Sequence, residues 1–104
     1  MKSLKIEAQW KAHLRARFPA GCGGRDIDGI DLVLLDADIA GCVQTYLKRK
    51  RSLDLWRTAV LGIQYHHARV VVPRLRGTTR AYFQRLELLA EAVLLEIAKA
   101  ATRP

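Results

Sequence analysis

The fold is decided by the stretch RAYFQRLELLAEAVLLEIAKAA, residues 80–101. Its apolar residues recur every three or four positions, which is typical of an α-helix that buries one face. Most of its other residues are strong helix formers. The stripe consists of Tyr82, Leu86, Leu89, Val93, Ile97 and Ala100, and Phe83, Ala90 and Leu94 widen it. The sequence therefore predicts a long amphipathic fourth helix, which starts after Gly77 with a cap at Thr78 or Thr79.

A first helix is predicted over residues 3–18. Its apolar residues recur every four positions, and Ser3 can cap the start because its hydroxyl accepts from a backbone N–H of the first turn. Pro19 and the glycines that follow it end the helix. The predicted buried stripe is Ile6, Trp10, Leu14 and Phe18.

A second helix is predicted over residues 32–48, with Asp31 as its N-cap. A short strand over residues 30–35 is the alternative, because the period of a compact apolar run does not distinguish the two structures. The predicted stripe of this helix is Leu32, Leu35, Ile39, Val43 and Leu47.

A third helix is predicted from Ser52, as its cap, to about Val72. Pro73 has no backbone N–H to donate and crowds the preceding turn, so the helix is expected to end or kink there. Its predicted stripe is Leu53, Trp56, Val60, Ile63, His67 and Val70.

Together these segments predict an all-α fold, a small antiparallel four-helix bundle with a Gly/Asp-rich loop between helices 1 and 2. Residues 1–104 are expected to form a single helical domain, because a chain of this length buries one core. Leu88 and Leu95 lie beside the stripe of helix 4, so its apolar face is wider than one contact needs. This surplus apolar surface predicts a homodimer, in which it would be buried between the two chains.

Charge is sorted along the chain. Residues 48–85 carry ten Lys and Arg and a single acid, Asp54, whereas residues 26–38 carry five Asp and no base. The formal net charge is +8. Such a field attracts polyanions and acidic proteins. The candidate polyanion or partner surface consists of Lys48, Arg49, Lys50, Arg51, Arg74, Arg76 and Arg80.

The acidic stretch has two interpretations. Its aspartates either cap helices and solvate a loop, or they meet a basic surface on a partner. A calcium-binding loop is not indicated, because counting from Asp26 places Gly29 at the fourth position rather than the sixth. The twelfth position, Ala37, lacks the carboxylate that such a loop requires.

Residues with catalytic or metal-binding chemistry form no recognisable motif. His66 and His67 are adjacent, so on a helix they lie about 100° apart and do not converge on one metal ion. Cys42 is interpreted as part of a close helix contact, and Cys22, in the Gly-rich loop, as the more accessible thiol. We therefore predict no catalytic, cofactor-binding or metal-binding residues. An enzyme pocket near Tyr65 and His67 is the weaker alternative.

The sequence predicts a small non-catalytic interaction or regulatory protein, acting as a homodimer or with an acidic protein partner. The alternative is a nucleic-acid-binding module that uses the basic surface of residues 48–85, although no zinc-finger, RNA-recognition or basic-zipper pattern is present. We expect a cytoplasmic location and no membrane contact, because no apolar run suits a signal peptide or a membrane span and two cysteines make no disulfide framework.

Overall fold

Four helices and one small hairpin make up the structure, a computed structural model that describes the backbone of residues 2–102 and the side chains of residues 6–102. The helices are α1 (Lys2–Arg15), α2 (Leu32–Lys48), α3 (Leu55–Val71) and α4 (Gly77–Ala101). Strands β1 (Asp26–Ile27) and β2 (Ile30–Asp31) pair antiparallel between α1 and α2, and a 3-10 turn over Val72–Arg74 follows α3. The prediction of a small all-α bundle is confirmed.

Successive helices run in opposite directions. In α2 and α3, the Asp38 carboxylate accepts from the Gln64 amide at 2.7 Å, and the Cys42 thiol donates to the Arg57 carbonyl at 3.6 Å. The later residue of α2 thus meets the earlier residue of α3, which makes this pair antiparallel.

Helix α4 is the centre of the bundle, because it contacts each of the other three helices. Relative to α2 it runs in the same direction: Asp36 meets Tyr82, and ten residues further on Tyr46 meets Glu96. Parallel α2 and α4 are the geometry expected when each sequential pair is antiparallel.

The predicted stripes of α2 and α4 are confirmed by burial. Leu32, Leu35, Ile39 and Val43 are completely buried, and Leu47 is half-buried. In α4 the stripe is buried from Tyr82 to Val93, whereas Ile97 is half-buried and Ala100 is exposed. The buried residues of α4 are Tyr82, Phe83, Leu86, Leu89, Ala90 and Val93.

The predicted stripe of α1 is partly wrong. Leu14 is 63% exposed, whereas its neighbour His13 is only 6% exposed. A helix turns about 100° per residue, so a position eight residues after Ile6 has drifted by about 80°, and one seven residues after it by only about 20°. His13 therefore shares the buried face of Ile6, and Leu14 does not.

The predicted stripe of α3 is largely wrong, because Leu53 and Val60 are its only apolar members that pack against the core, and both are half-buried. Trp56 is 75% exposed and Ile63 is 58% exposed, and Val70 also faces outward. The residues of α3 that enter the core lie on another side of the helix, at Leu61, Gln64, Ala68 and Val71. This helix carries two apolar lines, and the bundle buries the one that the sequence analysis did not select.

Residues 26–31 form a tight hairpin rather than an irregular loop. Asp28 and Gly29, its two turn residues, have φ values of +52° and +81°, as a type I′ turn requires. Asp31 then caps α2 as predicted, accepting from the Leu34 backbone N–H at 2.9 Å. The helix begins at Leu32, so the alternative of a strand through residue 35 is wrong.

The caps predicted for α3 and α4 are wrong. The Ser52 hydroxyl donates to the Arg49 carbonyl at 2.7 Å, and Asp54 occupies the N-cap position of α3 instead. Helix α4 begins at Gly77 with Arg76 at its N-cap position, so neither Thr78 nor Thr79 caps it. The predicted cap at Ser3 falls outside the described side chains.

Candidate functional site

An outward apolar line runs along α3. Trp56, Ile63 and Val70 follow one another at intervals of seven residues, which places them above one another on one side of the helix. A groove of about 440 Å³ lies beside the Trp56 end of this line. Its walls are formed by α2 and α3, and its lining is of mixed polarity: Ala37, Asp38, Gly41, Cys42, Gln44, Thr45, Trp56, Arg57 and Val60. We call this surface the α2–α3 face.

A polar chain crosses between the two helices of the α2–α3 face. The Gln64 amide donates to Asp38, so its own carbonyl oxygen is the atom that meets His67 Nδ1 at 2.7 Å. That carbonyl can only accept, hence His67 carries its proton on Nδ1. These hydrogen bonds satisfy the buried Gln64 amide and link α2 to α3. They leave His67 and Tyr65 with different partners, because Tyr65 donates to Glu91 of α4 at 2.8 Å.

Charged side chains at the end of the α2–α3 face are paired within the chain. Arg57 donates to the Asp54 carboxylate at 2.9 Å, three residues earlier. The bond to Arg57 lowers the pKa of Asp54. The face therefore combines the exposed apolar line of α3 with a groove of mixed polarity, and the Asp54–Arg57 ion pair lies beside Trp56.

The predicted basic surface is divided between the two ends of the bundle. Lys48, Arg49 and Lys50 lie where α2 ends, beside the C-terminal half of α4, because the adjacent Tyr46 and Arg51 both contact Glu96. Arg74, Arg76 and Arg80 lie at the start of α4. The 19 residues from Gly77 to Glu96 correspond to about 28 Å of helix.

Arg51 differs from its three basic neighbours. Its guanidinium donates to Glu96 from Nη1 and to Glu7 from Nη2, each at 2.8 Å. Lys48, Arg49 and Lys50 are exposed and make no ion pair with a described carboxylate. Within the predicted set, Arg51 is thus a structural contact and the other three are open surface charges.

Arginines gather around the start of α4. One pocket of about 300 Å³ is lined by Arg25, Arg74, Leu75, Arg76 and Thr79. A second pocket of about 300 Å³ includes Arg17, Thr78 and Arg85 in its lining. Arg17, Arg25 and Arg85 were not among the predicted site residues. Only the fold brings Arg25 to Arg74 and Arg76, and Arg17 to Arg85, because the members of each pair of segments are far apart in the chain.

All five aspartates of the acidic stretch have partners inside the protein. Asp26 accepts from the Gly29 N–H of the hairpin turn and Asp31 from the Leu34 N–H. Asp28 pairs with Arg74 at 2.7 Å, and Asp36 and Asp38 bond Tyr82 and Gln64. The capping interpretation is confirmed for Asp31. Only Asp28 pairs with a described arginine, so these aspartates leave most of the positive charge at the two ends of the bundle unneutralised.

A buried polar cluster joins α1, α2 and α4. The Tyr82 hydroxyl donates to Asp36 at 2.8 Å, and His13 Nε2 lies 3.4 Å from the same carboxylate oxygen. Burial and the bond to Asp36 raise the pKa of Tyr82, so its phenol stays protonated and acts as a donor rather than a base. The rings of Trp10 and Phe18 pack against His13 and Tyr82 respectively. This cluster holds the core together.

Both cysteine thiols are buried. Cys22, predicted to be the more accessible thiol, is only 1% exposed, so that expectation is wrong. Among the described residues, no three His, Cys, Asp or Glu side chains are arranged to hold a metal ion. Within residues 2–102, none of the helices combines the length and apolar character needed to cross a bilayer.

Comparison with known proteins adds no family. Neither a protein-family model, nor a curated protein, nor a solved structure matches this chain.

Two of the features missed by the sequence analysis carry local signals. The dipeptide Asp28-Gly29 is a hairpin signal by itself, and an allowance for 3.6 residues per turn places His13 beneath Ile6. The sequence predicts Arg74 and Arg76 as surface charges, but no local signal places Arg25 in the pocket beside them, because it comes from a distant segment.

Proposed function

We propose that the protein is a non-catalytic interaction module that forms a homodimer through the α2–α3 face. The observation that carries this proposal is the outward line of Trp56, Ile63 and Val70 on α3. Burial of each large apolar side chain contributes roughly 1.5–3 kcal/mol, so covering this line favours association.

A second copy suits this line because of its symmetry. Trp56 and Val70 each lie seven residues from Ile63, so a two-fold axis through Ile63 brings Trp56 of one copy opposite Val70 of the other. The large ring then faces a smaller branched side chain. The groove beside Trp56 gives the helix of a second copy room to approach.

The size of the face indicates a weak dimer. Helix α3 has 17 residues and is therefore about 25 Å long, and α2 lies about 10 Å to its side. Two adjacent helices, each about 10 Å across, give the face a width of about 20 Å and a projected area of about 500 Å² per copy, below the roughly 800 Å² of a standard interface. We expect a dissociation constant of about micromolar magnitude.

Sedimentation equilibrium over a wide range of protein concentration tests this proposal. Ile63→Asp places a charge at the proposed two-fold axis and is expected to give a monomer. Leu95→Asp is the matched control, because Leu95 is an exposed apolar residue on α4, the helix whose surplus surface first suggested a dimer. A wild-type protein that is monomeric throughout, or a dimer broken by Leu95→Asp and not by Ile63→Asp, contradicts the proposal.

A further inference from the structure

A second site, which shares no residue with the α2–α3 face, lies beside the start of α4. It is the pocket of about 300 Å³ lined by Arg25, Arg74, Leu75, Arg76 and Thr79. We propose that this arginine pocket binds the phosphate group of a phosphorylated ligand. The proposal is independent of dimer formation.

Two distant segments of the chain bring three guanidinium groups to this pocket. Arg25 comes from the loop before β1, Arg74 from the 3-10 turn, and Arg76 from the residue that precedes α4. The planar guanidinium presents paired N–H donors that match the oxygens of a phosphate. Their convergence on one concave space is what separates this site from scattered surface charge.

The charge of the pocket is mostly uncompensated. Among residues 6–102, neither Arg25 nor Arg76 makes an ion pair with a carboxylate. Arg74 has one such partner, since its Nη1 donates to Asp28 Oδ2 at 2.7 Å. Two full positive charges therefore remain for an anion to neutralise.

The Asp28 carboxylate already binds Arg74 at the edge of this site, where a phosphate oxygen would otherwise bind. The type I′ turn, with φ +52° at Asp28, presents its carboxylate to Arg74 from the tip of the hairpin. A bound phosphate would share the Arg74 guanidinium with this carboxylate or displace it. Because two anions repel, the negative charge of Asp28 is expected to weaken phosphate binding.

The backbone at the start of α4 adds to the same preference. Arg76 at the N-cap position gives no side-chain hydrogen bond, and the first turn holds no acid. The helix therefore begins with unsatisfied N–H groups and the positive end of its dipole next to the three arginines, and Thr79 adds a hydroxyl to the pocket.

Binding of inorganic phosphate, adenosine monophosphate and a short single-stranded oligonucleotide, each at low and moderate salt, tests the proposal by calorimetry. Removing an arginine that bonds a phosphate is expected to cost about tenfold or more in affinity, so Arg25→Ala and Arg76→Ala should each show such a loss. Asp28→Asn is expected to raise the affinity. Thermal unfolding by circular dichroism checks that each variant is folded.

The control variants are Lys48→Ala and Arg49→Ala, which remove the same charge at the far end of the bundle. They should leave binding nearly unchanged. Similar affinity for the mononucleotide and the oligonucleotide identifies a small phosphorylated molecule, whereas much tighter oligonucleotide binding with a steep salt dependence identifies a nucleic-acid backbone. If no probe binds at low salt, or if the control variants lose as much affinity as Arg76→Ala, the proposal is wrong.

Discussion

Arg51 donates from Nη1 to Oε1 of Glu96 at 2.8 Å, and this contact links the connection between α2 and α3 to the C-terminal half of α4. Glu96 also accepts from the Tyr46 hydroxyl at 2.5 Å. The other side of the guanidinium reaches Glu7 of α1. One arginine, held with a positive φ of +59°, thereby ties three helices together.

Replacing Arg51 by Ala is expected to lower the free energy of unfolding by about 1–3 kcal/mol, since the change leaves the partly buried Glu96 carboxylate short of a charged donor. Urea unfolding measures the change. Arg49→Ala, two residues earlier and exposed, should alter the stability by less than about 0.5 kcal/mol. Equal losses in the two variants would mean that the Arg51 contacts contribute nothing specific.

The two apolar lines of α3 predict losses of very different size when their residues are truncated in the monomer. Leu61 is completely buried, so Leu61→Ala removes core packing and should cost about 2–5 kcal/mol. Ile63→Ala, two residues away and mostly exposed, should cost less than about 1 kcal/mol in dilute solution. Urea unfolding at a concentration where the protein is monomeric makes the comparison. A larger loss at Ile63 would contradict the observed orientation of α3.

Salt is expected to act oppositely on dimer formation and on phosphate binding. Two chains with a formal charge of +8 each repel, so screening by added salt should strengthen the dimer. Phosphate binding to the arginine pocket should weaken over the same range, because screening reduces the attraction. Sedimentation and calorimetric titrations along one salt series test this. Slopes of the same sign would contradict one of the two proposals.

Stability should fall in strongly alkaline solution. Burial, together with a hydrogen bond to Glu96, raises the pKa of Tyr46 to about 12. Tyrosine in the unfolded chain ionises near pH 10, so the unfolded state loses its proton first. The stabilisation is therefore fully present below about pH 10 and is lost as the pH rises towards about 12.

Tyr46→Phe isolates the contribution of this hydroxyl to the pH dependence. The variant has no proton to lose at this position, so its urea midpoint should decline less steeply above about pH 10 than that of the wild type. Tyr82 remains in both proteins, and its pKa is raised in the same direction. Identical declines would show that Tyr46 does not contribute.

Secondary structure and two of the buried faces could be predicted from the sequence because they depend on local periodicity. In α2 and α4 a single apolar line dominates, and burial follows it. In α3 two lines compete, one through Trp56 and Ile63 and one through Leu61 and Ala68. Hydrophobicity alone favours the line with Trp56, and only contact with α2 and α4 selects the other.

The candidate sites depend on contacts that are distant in the chain. The basic run from Lys48 to Arg51 looks uniform as a sequence, yet Arg51 is set apart by carboxylates 44 and 45 residues away. The arginine pocket similarly combines Arg25 with Arg76. Charge counting located the basic stretches, but which charges are paired is decided by the tertiary fold.

The two buried thiols, Cys22 and Cys42, allow local opening of the structure to be followed by chemical modification. Cys22 belongs to the loop that precedes the hairpin and is only 1% exposed, whereas Cys42 lies in α2 and lines the groove of the α2–α3 face. A thiol reagent in solution reaches Cys22 only after the loop has opened, so the rate of its modification measures the frequency of that opening. Modification of Cys42 instead measures access to the groove, so one experiment follows the loop and the α2–α3 face separately.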